Sequence, residues 1–316
     1  MNKSFIGLVV VSTIFLIYAT GFYTNFQTDS ALEIVDFSID QPETENAAPS
    51  NPDRIPLYGD LHVHTKYSFD AYIFGVTATP YDAYKYATGE TIKHPLGFDM
   101  KLKEPLDFYA VTDHGFYMGM IENYADTSSE MSKNEWTKPM HNLNRPENVT
   151  VESLGARADL FSSVLTQAIV KPYPYWHPKV WKAWFTNNIQ VALQSFDYDV
   201  HKSAWADVAN AAEEFNDPGK FTTFIGYEFT TSTDVEGGNL HRNVIFDSSN
   251  APIRPWTRID SINPEDLWTW MDGLRDKGVD SLAMPHNSNG SNGQMFEVET
   301  FRGNPTSIEY AEKRMR

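Results

Sequence analysis

The sequence predicts an α/β fold with parallel strands, and three observations carry that expectation. Short apolar runs recur along the chain and end in polar, chemistry-bearing residues. Helical patterns lie between them, and strand followed by helix, repeated, argues for parallel strands. His62, His114 and His286 each fall just after an apolar run. In folds of this kind chemistry gathers at the C-terminal ends of strands.

Taken in order, Lys3 precedes an apolar run from Phe5 to Ala19, followed by the small residues Ala19-Thr20-Gly21. Residues 1–23 read as an export signal or as an N-terminal anchor, which makes the expected location periplasmic or secreted, with any membrane contact made through that anchor. Residues 24–54 read as a linker, polar and rich in Pro, Asn and acidic side chains without periodicity. Residues 55–316 form the expected catalytic domain. It opens with the strand GDLHVHT and the helix TPYDAYKYATGE, which starts at Thr79-Pro80. LDFYAVTDH is a strand ending at Asp113-His114. An insertion over about 116–216 breaks the pattern and reads as mostly helical, with helices in ESLGARADLFSSVLTQAIV and in the stretch ending AAEEFN. FTTFIGYEFT is a strand carrying Glu228, and HRNVIFD begins at His241 and continues as a strand. NPEDLWTWMDGLRDKG has Asn263 as cap, Pro264 at the first helical position and Gly278 past the end. DSLAMPHNSN is a short strand ending at Pro285-His286.

Composition excludes several functions. The net charge of -17 repels nucleic acid phosphates, so no nucleic acid partner is expected. It also repels anionic substrates, so a phosphate group needs local positive charge, which bound divalent metals can supply. The chain has no cysteine, which removes disulfides, iron–sulfur clusters and thiol nucleophiles. Any metal must be held by His, Asp and Glu.

Those residues form a pattern. His62 and His64 stand two apart on a strand, on one face, where two imidazoles can grip one ion. Asp70 follows closely. Asp113-His114 ends a strongly apolar run. Glu228 lies among apolar strand residues, where an unpartnered carboxylate is costly to bury; a metal is a good partner for it, or it is an edge-strand residue facing water. His241 follows Gly237-Gly238, with Arg242 beside it as a candidate for holding a substrate oxyanion. Five of the nine histidines thus stand at strand ends or starts, and jointly they point to a site for two or three divalent ions such as zinc, manganese or iron. His94, His141, His177 and His201 read as ordinary polar residues. Trp176, Trp181, Trp184 and Trp205 read as packing residues.

The motifs YGDLHVHTKYSFDA, LDFYAVTDHG, FIGYEFT, GGNLHRNVIFD and AMPHNSNG, in that order, resemble the polymerase-and-histidinol-phosphatase (PHP) superfamily. They look closest to a secreted branch labelled as a domain of unknown function. The resemblance implies a distorted seven-stranded (β/α) barrel with a trinuclear centre. It implies that His62 and His64 bind the first metal and that Glu228 bridges the first and second. His241 and His286 complete the second, while Asp70 and His114 belong to the third. Asp60 and Asp113 would orient ligating histidines. The superfamily closes with an Asp-x-His motif, which does not follow His286 here, so the barrel is expected to be incomplete at its C-terminus and the chain to be a fragment whose activity is in doubt.

The expected reaction is hydrolysis of a phosphoester on a small substrate by a metal-activated water, with Arg242 and Lys66 as candidates for binding substrate oxygens. An amidohydrolase-like hydrolysis of C–N or ester bonds is a second expectation. It lacks the bridging lysine such barrels use. A non-catalytic exported metal-binding module is a third.

Overall fold

The structure is a computed structural model that describes residues 31–39, 55–167, 196–232, 238–296 and Ser307. The apolar run at the N-terminus, most of the linker, Gly237, and Trp176, His177, Trp181 and Trp184 lie outside the described residues. No helix among the described residues is long and apolar enough to cross a membrane.

Two three-stranded sheets carry the site. The first is parallel, with β2 (Gly59–Val63), β5 (Phe108–Val111) and β6 (Thr222–Thr223) in that order. The second is antiparallel, with β7 (Gly226–Phe229) and β10 (Ser281–Pro285) flanking β8 (Arg242–Phe246). Small two-stranded sheets pair β1 (Ile34–Asp36) with β9 (Asn250–Pro252) and β3 (Ile92–Lys93) with β4 (Asp99–Met100).

The expected seven-stranded (β/α) barrel is not found: the described strands form small separate sheets, several of them antiparallel, and do not close. Two local causes stand out. The link from Phe229 to Arg242 continues the antiparallel pairing through a bridge between Ser232 and Asn239, and its described residues carry no helix of the kind a parallel return usually uses; β8 comes back antiparallel to β7. FTTFIGYEFT, expected as one strand, breaks at Phe224-Ile225, so β6 joins the parallel sheet and β7 the antiparallel one. A single parallel bridge between His114 and Glu228 seams the two sheets. There Glu228 N donates to Asp113 O and Gly115 N to Glu228 O, each at 2.9 Å.

The helices start where local chemistry says they should. α1 (Phe69–Ile73) follows the His64 loop. α2 (Pro80–Ala87) opens with a capping box in which Thr79 accepts from Asp82 N at 3.1 Å and Asp82 accepts from Thr79 N at 3.0 Å. α3 (Met120–Ala125), α4 (Leu154–Gln167) and α5 (Tyr198–Phe215) lie between β5 and β6, joined in part by short 3-10 turns. α6 (Pro264–Arg275) takes its cap from Asn263, which accepts from Glu265 N at 3.0 Å, and ends before Gly278 at φ 86°.

The main core packs α2, α5 and α6 on the sheets through Tyr84, Trp205, Val208, Tyr227, Phe229, Phe246, Leu267 and Trp270. Burying each of the large apolar side chains stabilises the fold by roughly 1.5–3 kcal/mol. A second core joins Phe69 and Ile73 of α1 to Phe116, Tyr117, Met120 and Tyr124, and to Leu160 and Val164 of α4. The candidate ligands sit where the two cores meet the sheet seam.

Candidate metal centre

β2 delivers His62 and, one residue past its end, His64. Their backbone is fixed from both sides: Asp60 Oδ1 accepts from His62 N at 2.9 Å, and Thr112 Oγ1 accepts from Val63 N at 3.0 Å while donating to Leu61 O at 3.1 Å. Both imidazoles reach the same oxygen, Glu228 Oε2, His62 Nε2 at 3.3 Å and His64 Nε2 at 2.8 Å. The two-residue spacing has put them on one side, as strand geometry requires.

Three further histidines meet the other carboxylate oxygen. Glu228 Oε1 lies 2.5 Å from His241 Nδ1, 3.1 Å from His286 Nε2 and 3.4 Å from His114 Nδ1. His114 comes from the end of β5, His241 from the start of β8 and His286 from the end of β10. Asn287, at φ 55°, turns the chain away immediately after His286. Asp70, in the first turn of α1, places Oδ2 3.2 Å from His64 Nδ1 and 3.5 Å from His114 Nε2. Ser68 Oγ donates to Asp70 Oδ1 at 2.6 Å. The structure thus brings together His62, His64, Asp70, His114, Glu228, His241 and His286.

The donor set fits divalent cations. Glu228 is 1% exposed, yet its Oε1 accepts no hydrogen bond, and neither ring nitrogen of His286 has a hydrogen-bond partner. At Glu228 Oε1 the nitrogens of His241, His286 and His114 approach closely without hydrogen-bond geometry, the arrangement expected of ligands that share a third atom, while at Oε2 His62 and His64 stand in hydrogen-bonding geometry. Three overlapping triads have ligand atoms within 4.8 Å of one another: His62, His64 and Glu228; His64, Asp70 and His114; His114, Glu228 and His241. Each neighbouring pair of triads shares a residue. Imidazole and carboxylate suit zinc, manganese and iron.

Electrostatics support this. Burial alone would raise the Glu228 carboxyl, but His114 and the close imidazoles of His241, His286 and His62 hold it well below the ordinary range. Burial likewise opposes ionisation of Asp70, and His114 and His64 outweigh it. Burial pushes the His64 imidazolium down, but Asp70 and Glu228 dominate and carry it up to about 10. His241 moves the other way, lowered chiefly by burial.

Several expected roles differ. Asp113 does not reach a histidine ring; it accepts from Thr65 N at 2.5 Å and from Thr65 Oγ1 at 2.6 Å. Asp60 holds the His62 backbone instead of its ring. Arg242, next to His241 on β8, points to the opposite face by strand alternation. It is buried, donates to Leu240 O at 2.7 Å and lies 5.4 Å over the Trp268 ring, with no contact to the histidine cluster among the described residues. Lys66 pairs with Glu122 at 3.0 Å. Thr230 was not singled out by sequence, yet its Oγ1 meets His114 Nδ1. The signal was its place two residues beyond Glu228 on a strand. His141 and His201 donate to the carbonyls of Ser132 and Gly115, and His94 stacks on Phe98.

Residues 51–316 match a family described as "Protein of unknown function (DUF3604)". Neither the curated proteins nor the solved structures contain a match to the chain.

Proposed function

The chain belongs to the DUF3604 family, and from that premise we propose that it is a metal-dependent hydrolase, a phosphoesterase related to the PHP superfamily through its motif order. The observation that carries the reading is Glu228, a buried carboxylate enclosed by five imidazoles and left with an oxygen that accepts no hydrogen bond. His62, His64 and Glu228 would hold one ion, His114, Glu228 and His241 with His286 a second, and His64, Asp70 and His114 a third. Bound divalent ions supply a water of lowered pKa and positive charge against a phosphoryl oxygen. The chain itself supplies the rest. Glu228 offers its two oxygens to two different sets of histidines and so fixes their spacing. Asp70, ionised and held by Ser68, orients His64 and His114. His62, 39% exposed at its side chain, marks the side from which a small phosphorylated substrate arrives.

No lysine contacts the cluster among the described residues, which disfavours an amidohydrolase-like bridge. The charge of -17 supports a small substrate over a nucleic acid, and the apolar run at 5–19 supports export.

The test is elemental analysis of the protein and of a variant with alanine at His62, His64 and Glu228, with a panel of phosphomonoesters and phosphodiesters. Metal and turnover are expected to be lost together in the variant. Normal metal content and normal turnover there would defeat the reading.

A further inference from the structure

The two sheets share the candidate ligands but no ladder on the side of His62. Among the described residues β2 pairs with β5, and β8 with β7 and β10. Asn243, on β8, spans that gap. Its Nδ2 donates at 2.7 Å to the carbonyl of Leu61, the residue before His62. The same carbonyl accepts from Thr112 Oγ1 at 3.1 Å. The peptide that leads into His62 is thus pinned both from its own sheet and from the other one.

Side-chain direction places Asn243 beside the cluster. The β7–β8 register sets it directly opposite Glu228, and residues opposite one another on antiparallel strands share a face. It also stands two residues beyond His241, which shares that face by strand alternation, whereas Arg242 between them does not. Three links therefore close a ring: Asn243 to Leu61 O, His62 Nε2 to Glu228 Oε2 at 3.3 Å, and Glu228 back to Asn243 across the ladder.

Packing alone does not explain a carboxamide at this position. Asn243 is 4% exposed, and its Oδ1 is buried without a hydrogen-bond partner. A buried acceptor left unpaired is destabilising, and an apolar side chain of similar size would avoid that cost. Leu61 O would still keep its bond from Thr112. What the carboxamide adds is a fixed placement of His62 against the sheet that carries Glu228 and His241.

We propose that Asn243 is a positioning residue of the metal centre, holding His62 in register with Glu228 so that imidazoles from the two sheets close on shared ions. This rests on the metal-dependent reading above and gives it a residue outside the ligand set.

The experiment measures cobalt(II) binding by equilibrium dialysis on the chelator-treated protein and on Asn243→Leu. Visible absorption of the cobalt-loaded forms and thermal unfolding of the metal-free forms accompany it. Cobalt is expected to bind about 10- to 100-fold more weakly in Asn243→Leu, with displaced absorption bands, while the metal-free Tm stays within about 4 °C of the parent. Unchanged affinity or unmoved bands would overturn the proposal. So would a drop in metal-free Tm large enough to account for the lost affinity, which would make Asn243 a structural residue only. Should Asn243→Leu not fold, Asn243→Ser decides by the same readouts, because its hydroxyl is too short to span to Leu61 O. A parent protein that takes up no cobalt would overturn the metal-dependent reading and this assignment with it, whereas a parent that binds cobalt as tightly as its variants do would overturn the assignment alone.

Discussion

Two buried carboxylates a few residues from one another in space behave in opposite ways. Asp113 is fully buried and satisfied, with the N–H and hydroxyl of Thr65 both donating to it; burial still pushes it up to about 6. Glu228 is equally buried, but burial loses, because His114 and the surrounding imidazoles hold its carboxyl well below the ordinary range. Asp113 is bonded as a piece of architecture, tying the loop after β2 to the end of β5. Glu228 is surrounded by nitrogens that also need something to bind. The contrast separates a structural carboxylate from a ligand by its partners, since depth is the same for both.

The sharpest way to break this comparison is to remove each carboxylate in turn. Glu228→Ala is expected to weaken metal binding by more than about 100-fold, beyond the 10- to 100-fold that loss of an outer partner typically costs, with little loss of fold; equilibrium dialysis against a metal buffer reads it. Asp113→Ala should do the reverse. It leaves two buried donors of Thr65 unsatisfied and is expected to cost about 3 kcal/mol in urea unfolding, with metal stoichiometry retained. Equal effects of the two variants on metal would erase the distinction.

A smaller effect is set by pH. In chelator-treated protein the His64 imidazole is raised from 6.5 to about 10. A group whose folded pKa is raised contributes stability that is fully present below its unfolded value and is lost as pH rises through the folded one. The chelated protein should therefore lose Tm between about pH 6.5 and 10, while the metal-loaded protein, whose His64 must already be neutral to ligate, should show a flatter profile. Identical profiles would mean that His64 is not a ligand.

Much of the site was readable from residue types alone. The spacing of His62 and His64, the strand-end positions of His114 and His286, and a carboxylate inside an apolar run each have a local physical meaning, and the seven residues do converge. Sheet closure had no such local sign. Whether β7 and β8 run parallel depends on whether the link between them pairs with itself, as Ser232 and Asn239 do, and the break at Phe224-Ile225 interrupts no hydrophobic pattern. Arg242 misled because adjacency in sequence was taken for adjacency in space, although neighbours on a strand face apart. The roles of Asp60 and Asp113 were carried over from the resemblance, and here both hold backbone or hydroxyl groups.

The pairing of β1 with β9 has a practical consequence for anyone choosing where to cut this chain. The family match begins at residue 51, but Ile34–Asp36 zip onto Asn250–Pro252, and the carbonyls of Ala31 and Leu32 accept from the Trp270 indole and the Lys277 ammonium. An expression boundary placed at the family edge would strip a strand, leave the β9 ladder open on that side and bare the indole of α6 to solvent, inviting copies of the trimmed protein to stick to one another.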